Sequence, residues 1–304
     1  MSSDAVPPSL RRRLALLAAA VPPLAMAALG IALLTGMDGV VKALSARHDT
    51  WQLAFLRFVA SSLIVAVLYL AMRQPAPDRA TLGGHLVRGI FTAATATCFF
   101  YGLATLPITD VFVIGYLAPL LVVVLSAPLL GERPSGRALA GVALGFAGIL
   151  ATVGGLDAAA FRAHLEDARR LSGAAAVLLA ALLYALVVIL LRRQARRGDP
   201  PLVIVLFQSV IPAGLLALPG LAHWQPVAVA DIGLFAAAGA LGVAGHLALA
   251  SAFARGEANR LVVVEYSGFI WAAAIGLAAF GEVPAAGTWA GAVLVVAACL
   301  LARR

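Results

Sequence analysis

The sequence predicts an all-α polytopic membrane protein: ten transmembrane helices arranged as two inverted five-helix repeats. Three observations carry that expectation: composition, the spacing of charges, and self-similarity at a fixed offset. Of 304 residues, 62% are hydrophobic and 12% are charged, and the mean hydropathy is +1.00. A soluble domain is about 45–50% apolar and about 25% charged. This chain therefore lacks the polar surface to cover a soluble core. An ordinary soluble enzyme, a disordered chain and a disulfide scaffold are all excluded.

Charge spacing divides the chain into spans. Uncharged stretches cover residues 14–37, 89–109, 111–131, 138–156, 171–191, 232–254 and 283–302. Residues 50–72 and 261–281 are interrupted only by Arg57 and Glu265, and 200–230 holds one span plus a turn around Pro219, Gly220 and Pro226. A hydrocarbon layer about 30 Å thick needs about 20 apolar residues in a helix. Backbone groups in lipid must be satisfied within the segment, and strand-like alternation is absent, so the ten spans read as helices. Arg11, Arg12 and Arg13 before LALLAAAVPPLAMAA resemble a signal peptide, but nine further spans favour a positive anchor for the first helix. Cys98 and Cys299 both fall inside spans and read as small packing residues.

The net charge of +8 suggests nucleic acid until its placement is considered. The 22 basic residues cluster between apolar runs, so no nucleic-acid partner is expected; the lipid bilayer is the partner. With a cytoplasmic N-terminus, sixteen basic residues fall inside, five outside (Lys42, Arg47, Arg162, Arg169, Arg170), and Arg57 within a span. Positive residues are retained on the cytoplasmic side. The expected location is thus the bacterial inner (cytoplasmic) membrane, multi-pass, with N- and C-termini cytoplasmic.

A shift of 150 residues overlays the chain on itself without a gap. Lys42 falls on Arg192, Asp49 on Asp199, Gly89 on Gly239 and Tyr116 on Tyr266. Gly131–Glu132 falls on Gly281–Glu282, Pro134 on Pro284 and Gly141 on Gly291. The expected units are residues 1–154 and 155–304, each with five spans. An odd number of spans makes the second unit enter the membrane from the opposite side. Such inverted pairs suit transporters, because near-equivalent halves can exchange inward-open and outward-open arrangements.

The order MDGVVKAL, WQLAFLRF and PITDVFVIGYLAPLLVVVLSAPLLGERPSGRALAGVALGFAGIL resembles the EamA type of the drug/metabolite transporter superfamily over essentially the whole chain. The residues that carry it are Lys42, Arg57, Pro119, Gly131, Glu132 and Gly141, echoed at Gly281, Glu282 and Gly291. Phe269 stands where the first copy has Pro119, so the helix-four proline occurs once. The resemblance implies ten helices and a central cavity lined mainly by helices 1–4 and 6–9. It also implies substrates among amino acids and derivatives, vitamins, nucleotide-type cofactors and drugs.

Ionisable groups at membrane depth are costly and face a cavity or a partner. Asp38 and Lys42, one turn apart, share the outer half of the bundle with Arg57, which lies two turns into the second span. Two readings stand: a local ion pair with snorkelling ends, or a substrate carboxylate gripped by the bidentate guanidinium fork. In the inner half, His246 and Glu265 lie at similar depth and suit an amine or a proton. Gln208, Tyr116 and Tyr266 supply neutral donors and ring faces, with helix packing as the alternative. The substrate-binding set is therefore Lys42, Arg57, Tyr116, Gln208, His246, Glu265 and Tyr266. Gly141/Gly145 and Gly287/Gly291 are GxxxG pairs, read as helix packing or as a homodimer seam.

No P-loop is present, since the chain's only lysine is Lys42, and there is no HExxH, GxSxG or Cys/His cluster. No cofactor, metal or catalytic residue is expected, and the chain is read as a secondary transporter rather than an enzyme. The expected cargo is a small polar metabolite, foremost an exported amino acid or amino-acid-derived carboxylate, metallophores included. Uptake of a vitamin or cofactor such as riboflavin or S-adenosylmethionine is the alternative, and an intramembrane enzyme the distant one. In a background without Cys98 and Cys299, Arg47→Cys and Leu165→Cys should label from the periplasm. Ala76→Cys and Ala195→Cys should stay protected in intact cells; the reverse pattern contradicts the orientation.

Overall fold

The computed structural model describes residues 21–73, 79–130, 136–154, 166–196, 199–255 and 267–302. The Arg11–Arg13 cluster, Gly131–Glu132, Arg260, Glu265 and Tyr266 lie outside the described residues. The chain forms α1 (Pro23–Ser45), α2 (Thr50–Ala71), α3 (Arg79–Thr105), α4 (Ile108–Gly115), α5 (Leu117–Leu130) and α6 (Gly136–Gly154). It continues as α7 (Ala168–Arg196), α8 (Pro201–Ala222), α9 (Val229–Arg255), α10 (Ser267–Phe280) and α11 (Ala286–Ala302). Among the described residues six helices are long and apolar enough to cross a bilayer. Ile108–Val122, Leu139–Thr152, Ser267–Phe280 and Ala286–Ala298 are shorter apolar helices. Along the chain the order is three long and two short, repeated.

Local chemistry sets the ends. Proline occupies the first turn of α1 and α8, where a missing N–H costs nothing. The Asp49 carboxylate caps α2 by accepting from the Trp51 N–H at 2.8 Å. The break between α4 and α5 falls at Tyr116, three residues before Pro119. That proline lacks an N–H and its ring crowds the carbonyl of Gly115, one turn earlier.

The 150-residue register persists in three dimensions. Under it α1 exchanges with α7, α2 with α8, α3 with α9, α5 with α10 and α6 with α11. The packing partners obey the same exchange. α1 packs on α9 and α3 on α7; α2 packs on α9 and α3 on α8; α1 packs on α10 and α5 on α7. The self-paired contacts are α2 with α8 and α6 with α11.

Small residues allow the closest crossings. A Cβ on Gly30 would sit 3.1 Å from the Gly245 carbonyl, and one on Gly245 would sit 3.1 Å from the Gly30 carbonyl. At the α6–α11 crossing a Cβ on Gly148 would come within 2.9 Å of the Gly291 carbonyl. Gly291 therefore serves packing within the chain, while Gly145 faces Leu120 of α5. Gly291→Leu should destabilise the protein by about 1–3 kcal/mol through overpacking. Gly214→Leu, where a side chain meets open space, should leave the melting temperature in detergent unchanged.

Candidate binding site

Among the described residues, two gatherings of buried polar groups bear on the candidate site, and the first is one end of the bundle. Gly281, at φ 65°, ends α10 in the left-handed region that favours glycine. The next N–H, of Glu282, returns to the Gly276 carbonyl at 2.9 Å. That turn delivers the Glu282 carboxylate to Lys42 Nζ at 2.9 Å and to the Ile108 N–H, also at 2.9 Å. Lys42 donates further to the carbonyls of Leu103 at 3.1 Å and Leu106 at 2.6 Å. The ends of α1, α3 and α10 and the start of α4 are thus tied at one face, the Lys42 end. Here Arg47 and His48 each reach Asp231 at 2.9 Å. Gln52 bonds both to the carbonyl and to the N–H of Gln225. Thr288 donates to Asp110 at 2.6 Å, and Arg170 approaches the same carboxylate at 3.8 Å. Asp110 occupies the first turn of α4, where a carboxylate suits the helix N-terminus. α1 consequently ends where α7 begins.

The second place is a small cavity between α2, α8 and α9. Arg57, Ser61, Val205, Gln208, Ser209, Gly242, Val243 and His246 line it, and it has room for little more than a water. Arg57 and His246, expected at separate depths, share this cavity because α2 and α9 cross closely. Gly242 makes room, since a Cβ there would sit 2.8 Å from Arg57 Nη2. Arg57 is 6% exposed. It lies over the Phe58 ring at 4.3 Å, donates to the Met37 sulfur at 3.0 Å, and its Nε lacks a partner. Asp38 is within coulombic reach of Arg57, and no ion pair closer than 4 Å is formed between them. His246 Nδ1 donates to the Gly242 carbonyl at 2.7 Å, which leaves Nε2 as the acceptor of a neutral ring.

Arg57, Gln208 and His246 are therefore brought together. Lys42 belongs to the ion-paired end, with Glu282 rather than Asp38 as its partner. Tyr116 sits at the α4–α5 break, its hydroxyl 3.1 Å from where a Cβ on Gly268 would lie. Charge counting assigned Arg88 to the cytoplasmic boundary; the structure buries it within α3 at 1% exposed. Arg88 Nη1 donates to Gln208 Oε1 at 3.0 Å and Nη2 to the Ile204 carbonyl at 2.9 Å. An arginine between two apolar turns, LVRGIF, was the available signal.

The sequence pattern of the EamA-like transporter family matches twice, at residues 22–154 and 171–304. The chain belongs to the EamA-like transporter family. It is an integral membrane protein built from a duplicated EamA unit. The pseudopaline exporter of Pseudomonas aeruginosa is 29% identical over 287 residues, covering 88% of this chain and 91% of the exporter. An S-adenosylmethionine uptake transporter of Rickettsia bellii is 24% identical over 266 residues, covering 86% and 87%. A crystal structure at 22% identity aligns with a TM-score of 0.63 over 92% of this chain and 96% of the other, a likeness of fold.

The ion-paired end has a measurable signature. Lys42→Met and Glu282→Gln should each lower the melting temperature, because each leaves a partly buried charge without its partner. In the double variant the losses should fall short of additive by about 0.5–3 kcal/mol. Strict additivity contradicts the pairing.

Proposed function

We propose that this chain is a secondary transporter of the bacterial inner membrane that exports amino-acid-derived carboxylates, metallophore-type compounds included, by alternating access. Ten spans in two inverted five-helix units, with both termini cytoplasmic, are the architecture of this reading. The six long and four shorter apolar helices, the exchange-symmetric packing and the meeting of the α1 end with the α7 start support it. The Lys42 end is then the periplasmic face, and it is closed by ion pairs between the two units. The chain transports rather than catalyses. The cavity lies on the other side of that closure, next to the crossing of α2, α8 and α9.

One observation carries the proposal: Arg57 is a buried cation whose direct partners are a thioether sulfur and a ring face. A guanidinium has five donors in a fork that matches a carboxylate. An oxyanion entering the cavity would supply the acceptors that Met37 supplies weakly. This favours the cargo in the exporter's name over the one in the uptake transporter's name. S-Adenosylmethionine adds a sulfonium cation to its amino-carboxylate, and that cation would find no acidic side chain among the described lining residues beside Arg57. Glu265, with a proton or a substrate amine as its partner, is the proposed coupling group.

In proteoliposomes, efflux of pseudopaline should exceed that of S-adenosylmethionine. Arg57→Lys keeps the charge and loses the fork, and should weaken transport roughly 10- to 150-fold, as for a lost charge-assisted bond. Equal transport by the variant and the parent contradicts carboxylate recognition at Arg57.

A further inference from the structure

Gln208 lines the cavity with one end of its amide already committed. Arginine offers donors and no acceptor, so the atom facing Arg88 Nη1 at 3.0 Å must be the amide oxygen. The Nε2 amino group is thereby turned away from Arg88, and Gln208 is one of the residues that line the cavity. Arg88 is itself held in place. Nη2 is anchored on the Ile204 carbonyl at 2.9 Å, and Asp199 lies within coulombic reach. Asp199 in turn approaches His85 Nε2 at 3.3 Å, and the His85 ring stacks on Phe207 at 4.5 Å. A fully buried guanidinium is an expensive way to orient an amide, and an apolar side chain would fill the same volume. What the arginine adds is a single allowed amide orientation.

Resting on the Arg57 reading above, we propose that Arg88 is a positioning residue. It locks Gln208 so that two N–H donors face the cavity beside the Arg57 fork. Once the cavity widens beyond the room for a water that it has here, the site reads a substrate with two acceptor-rich ends: a dicarboxylate rather than a monocarboxylate. The His246 Nε2 acceptor suits an amine or hydroxyl between them. Arg88 acts through Gln208 and need not touch the substrate.

Succinate and butyrate, of equal chain length, are the probes, and their affinities for the detergent-purified full chain are read from ligand-induced melting shifts. The parent should bind succinate more tightly than butyrate. Gln208→Glu keeps the Arg88 contact as an ion pair, so the ligand-free melting temperature should hold or rise. The same change removes both donors, and succinate should weaken roughly 10- to 150-fold while the preference over butyrate disappears. Arg88→Met should lose the preference and Arg88→Lys, which keeps one donor on Oε1, should restore part of it. A preference retained in Gln208→Glu or in Arg88→Met overturns this inference and leaves the Arg57 reading intact. Variants that melt lower yet keep the succinate-to-butyrate ratio assign Arg88 a purely structural role and also overturn it. Arg57→Met should lose both probes; if it binds both as the parent does, the carboxylate reading itself fails, and this inference with it.

Discussion

A polar group in hydrocarbon has no water to turn to, and every charge in this bundle must be answered by the protein itself. At the Lys42 end the charges are met by opposite charges and carbonyls. Lys42 meets a carboxylate and two carbonyls, and Asp231 meets a guanidinium and an imidazole. In the cavity the answer is partial, with Arg57 left on a sulfur and a ring. The contrast separates groups paired with opposite charges from a buried cation held by weak acceptors, on which the proposed carboxylate site rests. It also explains why charged residues of similar depth play different parts.

The pairs at the Lys42 end share a topology: Lys42–Glu282, Arg47 and His48 with Asp231, Gln52 with Gln225, and Asp110 with Thr288 and Arg170. Each joins the first duplicated unit to the second. A rocking motion of one unit against the other would have to part these bonds while the small-residue crossings carried the pivot. Ion pairs suit such a closure, because water entering on opening solvates the separated charges and repays much of what is lost. Apolar packing has no such compensation.

Much of this was legible in the sequence. Apolar runs and charge spacing located most of the helices, although α1 runs on past Asp38 and Lys42 to Ser45, and the 150-residue offset anticipated the exchange of packing partners. Gly281–Glu282 was visible as a repeated motif, although its purpose was not. The glycine turns the chain so that the glutamate reaches Lys42, some 240 residues away in sequence, a pairing that no local pattern announces. Arg57 stood out because it interrupts a span. Arg88 did not, because it lies near a basic helix start and was counted with the boundary charges. Its burial depends on the docking of α3 against α8. The duplicated scaffold is also broken where it matters: Arg57 and Phe58 of α2 correspond to Phe207 and Gln208 of α8. Near-equivalent backbones thus present a cation on one side and a neutral amide on the other, and repeat matching is blind to that difference.

The account turns on whether a substrate carboxylate replaces Met37 as the partner of Arg57. A structure of the full chain determined with bound succinate measures this directly. The expected result is a carboxylate oxygen about 2.7–2.9 Å from the Arg57 guanidinium, with the Met37 contact given up. Ligand density elsewhere in the bundle, with Arg57 still resting on Met37 and Phe58, would contradict it.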